Sequence, residues 1–321
     1  MIYTNAPSGY EDRALELLAD LITSSRFPEG EIDKEREVII EEIYSYLDSP
    51  SDRVYDEFEE LAYKGSGLSH NILGDPESVR EIKSCDCRGF LDKFYRPDNM
   101  VVYCVSSLPE KEMAKKVEKY FGFLKAMPVM HNRITPPAMN LFDERKDNGT
   151  HQANTIMGVR AFGRSDERRF ALFLLNNYLG GPCMNSRLNR ELREKRGYVY
   201  TVDSNVSLLS DTGLLFIYFG CDPSNVKKCR NIIQREIENL CGKKLSDNTF
   251  EKVKRQYCGQ LISSSDHIEH RAMSLGKSLL YYNEVHDITT TTERIMAVTS
   301  EEMREVAEFI FSSGLSTLTL T

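Results

Sequence analysis

The sequence predicts an α+β protein made of two pseudo-repeated units, each with helices packed on one face of a mainly antiparallel sheet. Three observations carry that prediction. Segments with strand alternation and segments with helical spacing come in runs rather than in strict βαβ order. The order of these segments recurs about 215 positions along the 321-residue chain. A proline-rich stretch, from Met127-Pro128 to Pro136-Pro137, lies between the two occurrences.

The recurrence is legible residue by residue. Ile2-Tyr3 leads through a turn into residues 12–22, whose apolar side chains have helical spacing, and Ile217-Tyr218 leads in the same way into residues 227–237. Leu17, Leu18 and Ile22 fall on Ile232, Ile233 and Ile237, each 215 positions on. The next helix, 31–38, corresponds to 249–256 at an offset of 218. A helix over 86–95 and a strand over 100–105 match a helix over 302–311 and a strand over 316–321, 216 positions on. In 321 residues such a repeat makes about one and a half units, so the first is expected to lack roughly its leading 90 to 110 residues. Residues 1–125 are therefore expected to be the later part of a first domain, 126–140 a linker and 141–321 a second domain.

The second domain reads in order. A strand is expected over 151–162, then a helix over 166–178 stopped by Gly180-Gly181-Pro182. A helix over 185–195, strands over 198–206 and 213–220, three helices between about 224 and 283, and the closing helix and strand follow.

Composition narrows the function classes. A 40% hydrophobic content can supply each unit with a core, and 41 basic against 49 acidic residues, a formal charge of −8, argue against general nucleic-acid binding. No apolar run approaches the roughly 20 residues of a membrane span, and the opening residues have neither a basic nor an apolar leader region. The expected location is cytoplasmic, with neither nucleic acid nor membrane as partner. The eight cysteines lack paired C-x-x-C spacing, so reduced thiols are expected. In Ser84-Cys85-Asp86-Cys87, Ser84 or Asp86 is expected to cap a helix running into Arg88.

Two stretches can carry chemistry. On a helix over 31–48, Ile32, Glu35, Ile39, Glu42 and Tyr46 recur at spacings of three and four, which sets two carboxylates on an apolar stripe. A solvated edge of an acidic helix explains the pattern more simply. The corresponding second-unit positions, Val253 and Gln260, are not acidic. In the second stretch, Arg193 and Tyr200 flank a helix end at Gly197, and such a pair suits a substrate carbonyl or its developing oxyanion. Spacing alone favours an exposed arginine with a packed tyrosine. His267 and His270, three apart, fit a polar helix face better than a metal motif. No Walker, dinucleotide or nucleophile-elbow motif is present.

Taken together, the runs 14–20, 27–43, 71–74, 95–100 and 180–200 resemble the M16 zinc metallopeptidases, the family of pitrilysin, insulin-degrading enzyme and the mitochondrial processing peptidase. The resemblance covers nearly the whole chain. It implies two LuxS/metallohydrolase-like domains facing each other around a chamber for peptide substrates. It implies zinc in the first domain, on an inverted H-x-x-E-H helix with a later glutamate as third ligand. Glu42 resembles that later ligand and Glu35 an accessory acid of the site. Arg193 and Tyr200 resemble the pair that the second domain lends to hold the substrate backbone.

The departure from the family pattern is equally specific. None of the six histidines, His70, His131, His151, His267, His270 and His286, stands in an H-x-x-E-H. One carboxylate cannot hold catalytic zinc, which takes three protein ligands, so the 321 residues by themselves are expected neither to bind zinc nor to cleave peptides. Two readings follow: a truncated form of an active zinc endopeptidase, or a non-catalytic relative that binds peptides or supports a partner M16 subunit. Retention of Glu35, Glu42, Arg193 and Tyr200 favours the first. Exposed sheet edges and apolar faces are expected to promote self-association.

Overall fold

Residues 153–161 are mostly apolar or small, and they fold as a strand with neighbours on either side in the computed structural model, which describes residues 1–126 and 133–321. Around it stand β1 (Asp143–Lys146), β2 (Ala153–Ala161), β3 (Val199–Leu208), β4 (Gly213–Cys221) and β5 (Ser316–Leu320), in the order β1-β5-β2-β4-β3. Among the described residues only the β1–β5 pair is parallel, so the sheet is mixed but mainly antiparallel. The helices among the described residues are α1 (Glu11–Thr23), α2 (Glu29–Leu47), α3 (Pro50–Ala62), α4 (Pro76–Glu81), α5 (Ser84–Phe94) and α6 (Glu110–Phe121), followed by α7 (Arg169–Gly180), α8 (Val226–Gly242), α9 (Asp247–Ser265), α10 (Ile268–Tyr282), α11 (Ile288–Ala297) and α12 (Ser300–Phe311). The fold is α+β. None of these helices is long and apolar enough to cross a membrane.

By packing, the chain forms two units. One comprises Met1–Glu41, Asp75–Arg133 and Ile262–Ile288, the other Glu42–Gly74, Ile134–Leu261 and Thr289–Thr321. Residues 127–132, within the expected linker and including His131, lie outside the described residues.

The sheet unit has two apolar layers. Met157, Val159, Leu215, Ile217 and Phe219 point to a core shared with Leu172 and Leu175 of α7, Ile233 and Ile237 of α8 and Val306 and Ile310 of α12. Alternate residues, Ile156, Leu214, Tyr218, Leu318 and Leu320, face Val54, Phe58 and Ala62 of α3. Helices therefore cover both faces, not one as expected, and α3 comes from the earlier repeat. The reason lies in the strands: β2, β4 and β5 are buried nearly throughout, and such strands cannot leave a face to water. Gly158 makes the close approach feasible, because a Cβ there would stand 2.5 Å from Cζ of Phe58. Arg160 fastens the end of α3, donating from Nη2 to the Ala62 carbonyl at 2.9 Å and from Nη1 to Thr212 Oγ1 at 2.8 Å, with its guanidinium over the Tyr63 ring.

In the other unit, Asp12 of α1 accepts hydrogen bonds from Lys116, Lys119 and Tyr120 of α6. Helix α5 begins at Ser84, not after it. Asp86 occupies the third helical position and reaches back to the Lys83 N–H at 2.8 Å, while the Ser84 N–H donates to Glu29 at 3.2 Å. Segment 100–105, expected as a strand, is none: a strand needs a neighbour's ladder, and no strand pairs with it among the described residues. All eight cysteines are free thiols.

Candidate functional site

Arg193 and Tyr200 each sit on a backbone irregularity. After α7 stops at Gly180, the chain re-enters a helical path that widens into a π-turn, Asn189–Glu194, where an α-helix over 185–195 was expected. The Lys195 N–H reaches the Arg190 carbonyl, five residues back, at 3.0 Å. Buried Leu188 and Leu192 anchor the turn in the core, and Arg193 is left exposed. At Gly197 the backbone takes φ +60°, and the N–H groups of Gly197 and Tyr198 close back onto the carbonyls of Arg193 and Leu192, each at 2.9 Å.

The strand that follows is bulged at its first turn of the ladder. Val199 opposes Cys221 and Thr201 opposes Gly220, which leaves Tyr200 as an extra residue. The insertion lets Val199 and Val202, three apart, both point into the core, and it turns Tyr200 out, 65% exposed. The packed tyrosine of this turn is Tyr198, half-buried against the core. Strand β3 is also the edge of the sheet. Neither the Arg193 guanidinium nor the Tyr200 hydroxyl has a hydrogen-bond or ion-pair partner among the described residues.

A third residue, which the sequence reading passed over, holds this turn together. Glu191 is 5% exposed and accepts hydrogen bonds from Lys195 Nζ at 2.5 Å and Arg196 Nη1 at 2.8 Å. Arg196 Nη1 also donates to the Glu191 carbonyl at 2.6 Å. The bonds from Lys195 and then Arg196 pull the Glu191 carboxyl down to about 2. Arg187, ion-paired with buried Glu236 at 2.6 Å, ties the same segment to α8. The signal in the sequence was the i, i+4 spacing of Glu191 and Lys195 beside a leucine that had to be buried.

The acidic helix behaves differently. On α2, Ile32, Ile40 and Ile43 are buried and Ile39 half-buried, whereas Glu35, Glu42 and Tyr46 are exposed. The two carboxylates therefore flank the apolar stripe rather than share it, and neither has a hydrogen-bond or ion-pair partner among the described residues. His267 and His270 meet edge to face at the exposed start of α10. Among the described residues no group of three or more His, Cys, Asp or Glu is gathered closely enough to hold a metal ion. The described residues by themselves do not make a zinc site, since a catalytic zinc takes three protein ligands.

Comparison with known proteins gives these features a context. Residues 83–257 match the family domain described as the peptidase M16 inactive domain, and residues 1–76 match insulinase, peptidase family M16. The chain belongs to peptidase family M16. Among its M16 relatives, an uncharacterized zinc protease of Streptomyces coelicolor is 32% identical over 302 residues, covering 92% of this chain and 65% of the relative. The uncharacterized zinc protease YmxG of Bacillus subtilis is 28% identical over 97% of this chain and 75% of its own length. The chain thus spans just under two thirds of the Streptomyces relative. Among solved structures, a protease from Helicobacter pylori superposes with a TM-score of 0.91 at 21% identity, over 98% of this chain and 77% of that one. A peptidase M16 inactive domain from Pseudomonas fluorescens gives 0.88 at 18% identity, over 96% and 74%. At these identities the likeness speaks to the fold.

Proposed function

We propose that this chain is part of an M16 zinc endopeptidase acting on peptides, and that its own share of the work is to hold the substrate backbone with Arg193 and Tyr200. The observation that carries the reading is the pair of unspent donors, each set on a backbone irregularity on either side of Gly197. π-turns and bulges re-aim side chains and gather at functional sites. A guanidinium stays charged at any working pH and can bind a peptide carbonyl with two N–H groups. The Tyr200 hydroxyl would donate to the same carbonyl or to its neighbour, where charge develops during hydrolysis.

In this reading residues 1–125 belong to the metal-bearing domain, 126–140 link, and 141–321 form the substrate-contacting domain. Glu42 is the metal ligand that the chain retains and Glu35 an accessory acid; their open carboxylates and the family resemblance support both roles. Zinc, when bound, would polarise the scissile carbonyl and activate water. Its two histidines and the general-base glutamate would come from sequence outside these 321 residues, whether a longer form of the chain or a partner M16 subunit. The site of action in this reading is the cytoplasm.

Fluorescence anisotropy with a labelled unstructured peptide tests the central point. Arg193→Ala and Tyr200→Phe should each weaken binding about tenfold or more, the effect of losing a charge-assisted or oriented hydrogen bond. Unchanged affinity in both variants would overturn the reading. A second reading, a non-catalytic peptide-binding or partner subunit, is favoured by the match of residues 83–257 to a domain described as inactive. It shares the peptide-holding pair and differs only in needing no metal.

A further inference from the structure

The turn between Arg193 and Tyr200 is built around a buried anion. Glu191 lies in the π-turn two residues before Arg193, and its cationic partners, Lys195 and Arg196, lie beyond that turn on the way to Tyr200. Both side-chain bonds therefore close over the end of the π-turn and hold the first two residues of the stretch that leads to the bulge. Arg196 adds a second bond, to the Glu191 carbonyl, so that one guanidinium nitrogen grips both ends of the same residue. The Lys195 and Arg196 side chains are turned back onto Glu191, while Arg193, between Glu191 and Lys195 in sequence, projects without a partner among the described residues.

This arrangement is more elaborate than stability alone requires. A well-packed apolar side chain at 191 would serve the core as well or better, because a buried ion pair gains little over a hydrophobic replacement. What the ionic clasp adds is a fixed register. It sorts three neighbouring cations, Arg193, Lys195 and Arg196, so that two are bonded to one carboxylate and one is presented. It also closes the end of the π-turn, from which the chain runs through Gly197 to the bulge. We infer that Glu191 is a positioning residue for peptide binding, which holds the Arg193 guanidinium and the Tyr200 hydroxyl in one fixed relation by clasping Lys195 and Arg196. The inference rests on Arg193 and Tyr200 being the peptide-holding pair.

A double-mutant cycle on the full chain tests it, with the labelled unstructured peptide as probe and thermal melting as a separate measure of folding. Glu191→Gln should weaken peptide binding about tenfold in the otherwise unaltered chain. In an Arg193→Ala/Tyr200→Phe background the same change should weaken it no further, because nothing remains to be positioned. Glu191→Asp, which keeps the charge, should recover part of the affinity. If Glu191→Gln does not fold, Arg196→Ala, which leaves Lys195 in place, enters the same cycle with the same expectation.

The outcomes separate cleanly. Loss of affinity with Arg193→Ala/Tyr200→Phe but none with folded Glu191→Gln would overturn the role of Glu191 alone. An equal loss in both backgrounds would make Glu191 a general structural residue and overturn it too, as would the failure of both Glu191→Gln and Arg196→Ala to fold. Wild-type affinity in the Arg193→Ala/Tyr200→Phe chain would overturn the peptide-holding pair itself, and the positioning role with it.

Discussion

At Glu191 the same bonds that order the turn make it sensitive to acid. Its carboxyl is lowered from an ordinary 4.5 to about 2 by Lys195 first and Arg196 second. A group whose pKa is depressed on folding contributes stability that is fully present above the unfolded value and is lost as pH falls through the folded one. The contribution of this clasp should therefore hold at neutral pH and fade between about pH 4.5 and pH 2. Melting curves across that window should fall more steeply for the wild-type chain than for Glu191→Gln, which has no carboxyl to protonate there. Parallel curves would mean that the clasp adds nothing to the folded state. The candidate residues around it were only partly legible in the sequence. Arg193 and Tyr200 are named by the family pattern, but spacing cannot reveal that Tyr200 is the extra residue of a bulge. That depends on the register of β3 against β4, a hairpin pair whose irregularity lies at the end away from the connecting turn, where Val199 opposes Cys221.

Among the elements, α3 is the one whose place the sequence conceals. It was not read as an element from the sequence, and it lies on the sheet of the later repeat. Phe58 is 1% exposed, seated over Gly158 and 5.2 Å from the ring of Phe142. Phe58→Ala should cost about 3–5 kcal/mol, the usual range for emptying a buried aromatic site, and urea unfolding monitored by circular dichroism would measure it. A cost below about 1 kcal/mol would mean that α3 is not part of the cooperative core. Strand β4 was legible because apolar side chains fill both faces, and β5 because it repeats the pattern of 100–105 with leucines alternating with threonines. Two other elements were not. Strand β1 reads Asp-Glu-Arg-Lys and exists because the edge of β5 offers it a parallel partner, with Asp143 paired to Arg230. Helix α11 opens on Ile-Thr-Thr-Thr-Thr, a poor helix former, yet Ile295 is buried and Lys254 caps the Met296 carbonyl at 3.0 Å. Both depend on distant partners that a local reading cannot see.

For the whole molecule, the repeat supplies its own control. Residues aligned by the 215–216 offset have one environment in the sheet unit and another in the other unit. Ile232 is 8% exposed but Leu17 is 52% exposed; Leu318 is fully buried but Val102 is 39% exposed; Thr321 is 8% exposed but Val105 is 46% exposed. The side chains of the first repeat are as apolar as those of the second, so the difference lies in what covers them. Tyr3, Tyr10, Phe90 and Phe123 are also exposed on that unit, and large apolar side chains open to water favour association. The 321-residue chain should therefore self-associate. Sedimentation velocity should show a weight-average mass that rises with concentration, and Val102→Lys with Val105→Lys should shift the chain toward monomer without lowering the stability of the sheet unit. A chain that stays monomeric at every concentration would show that these residues find cover within a single copy, and the contrast between the repeats would then need another cause.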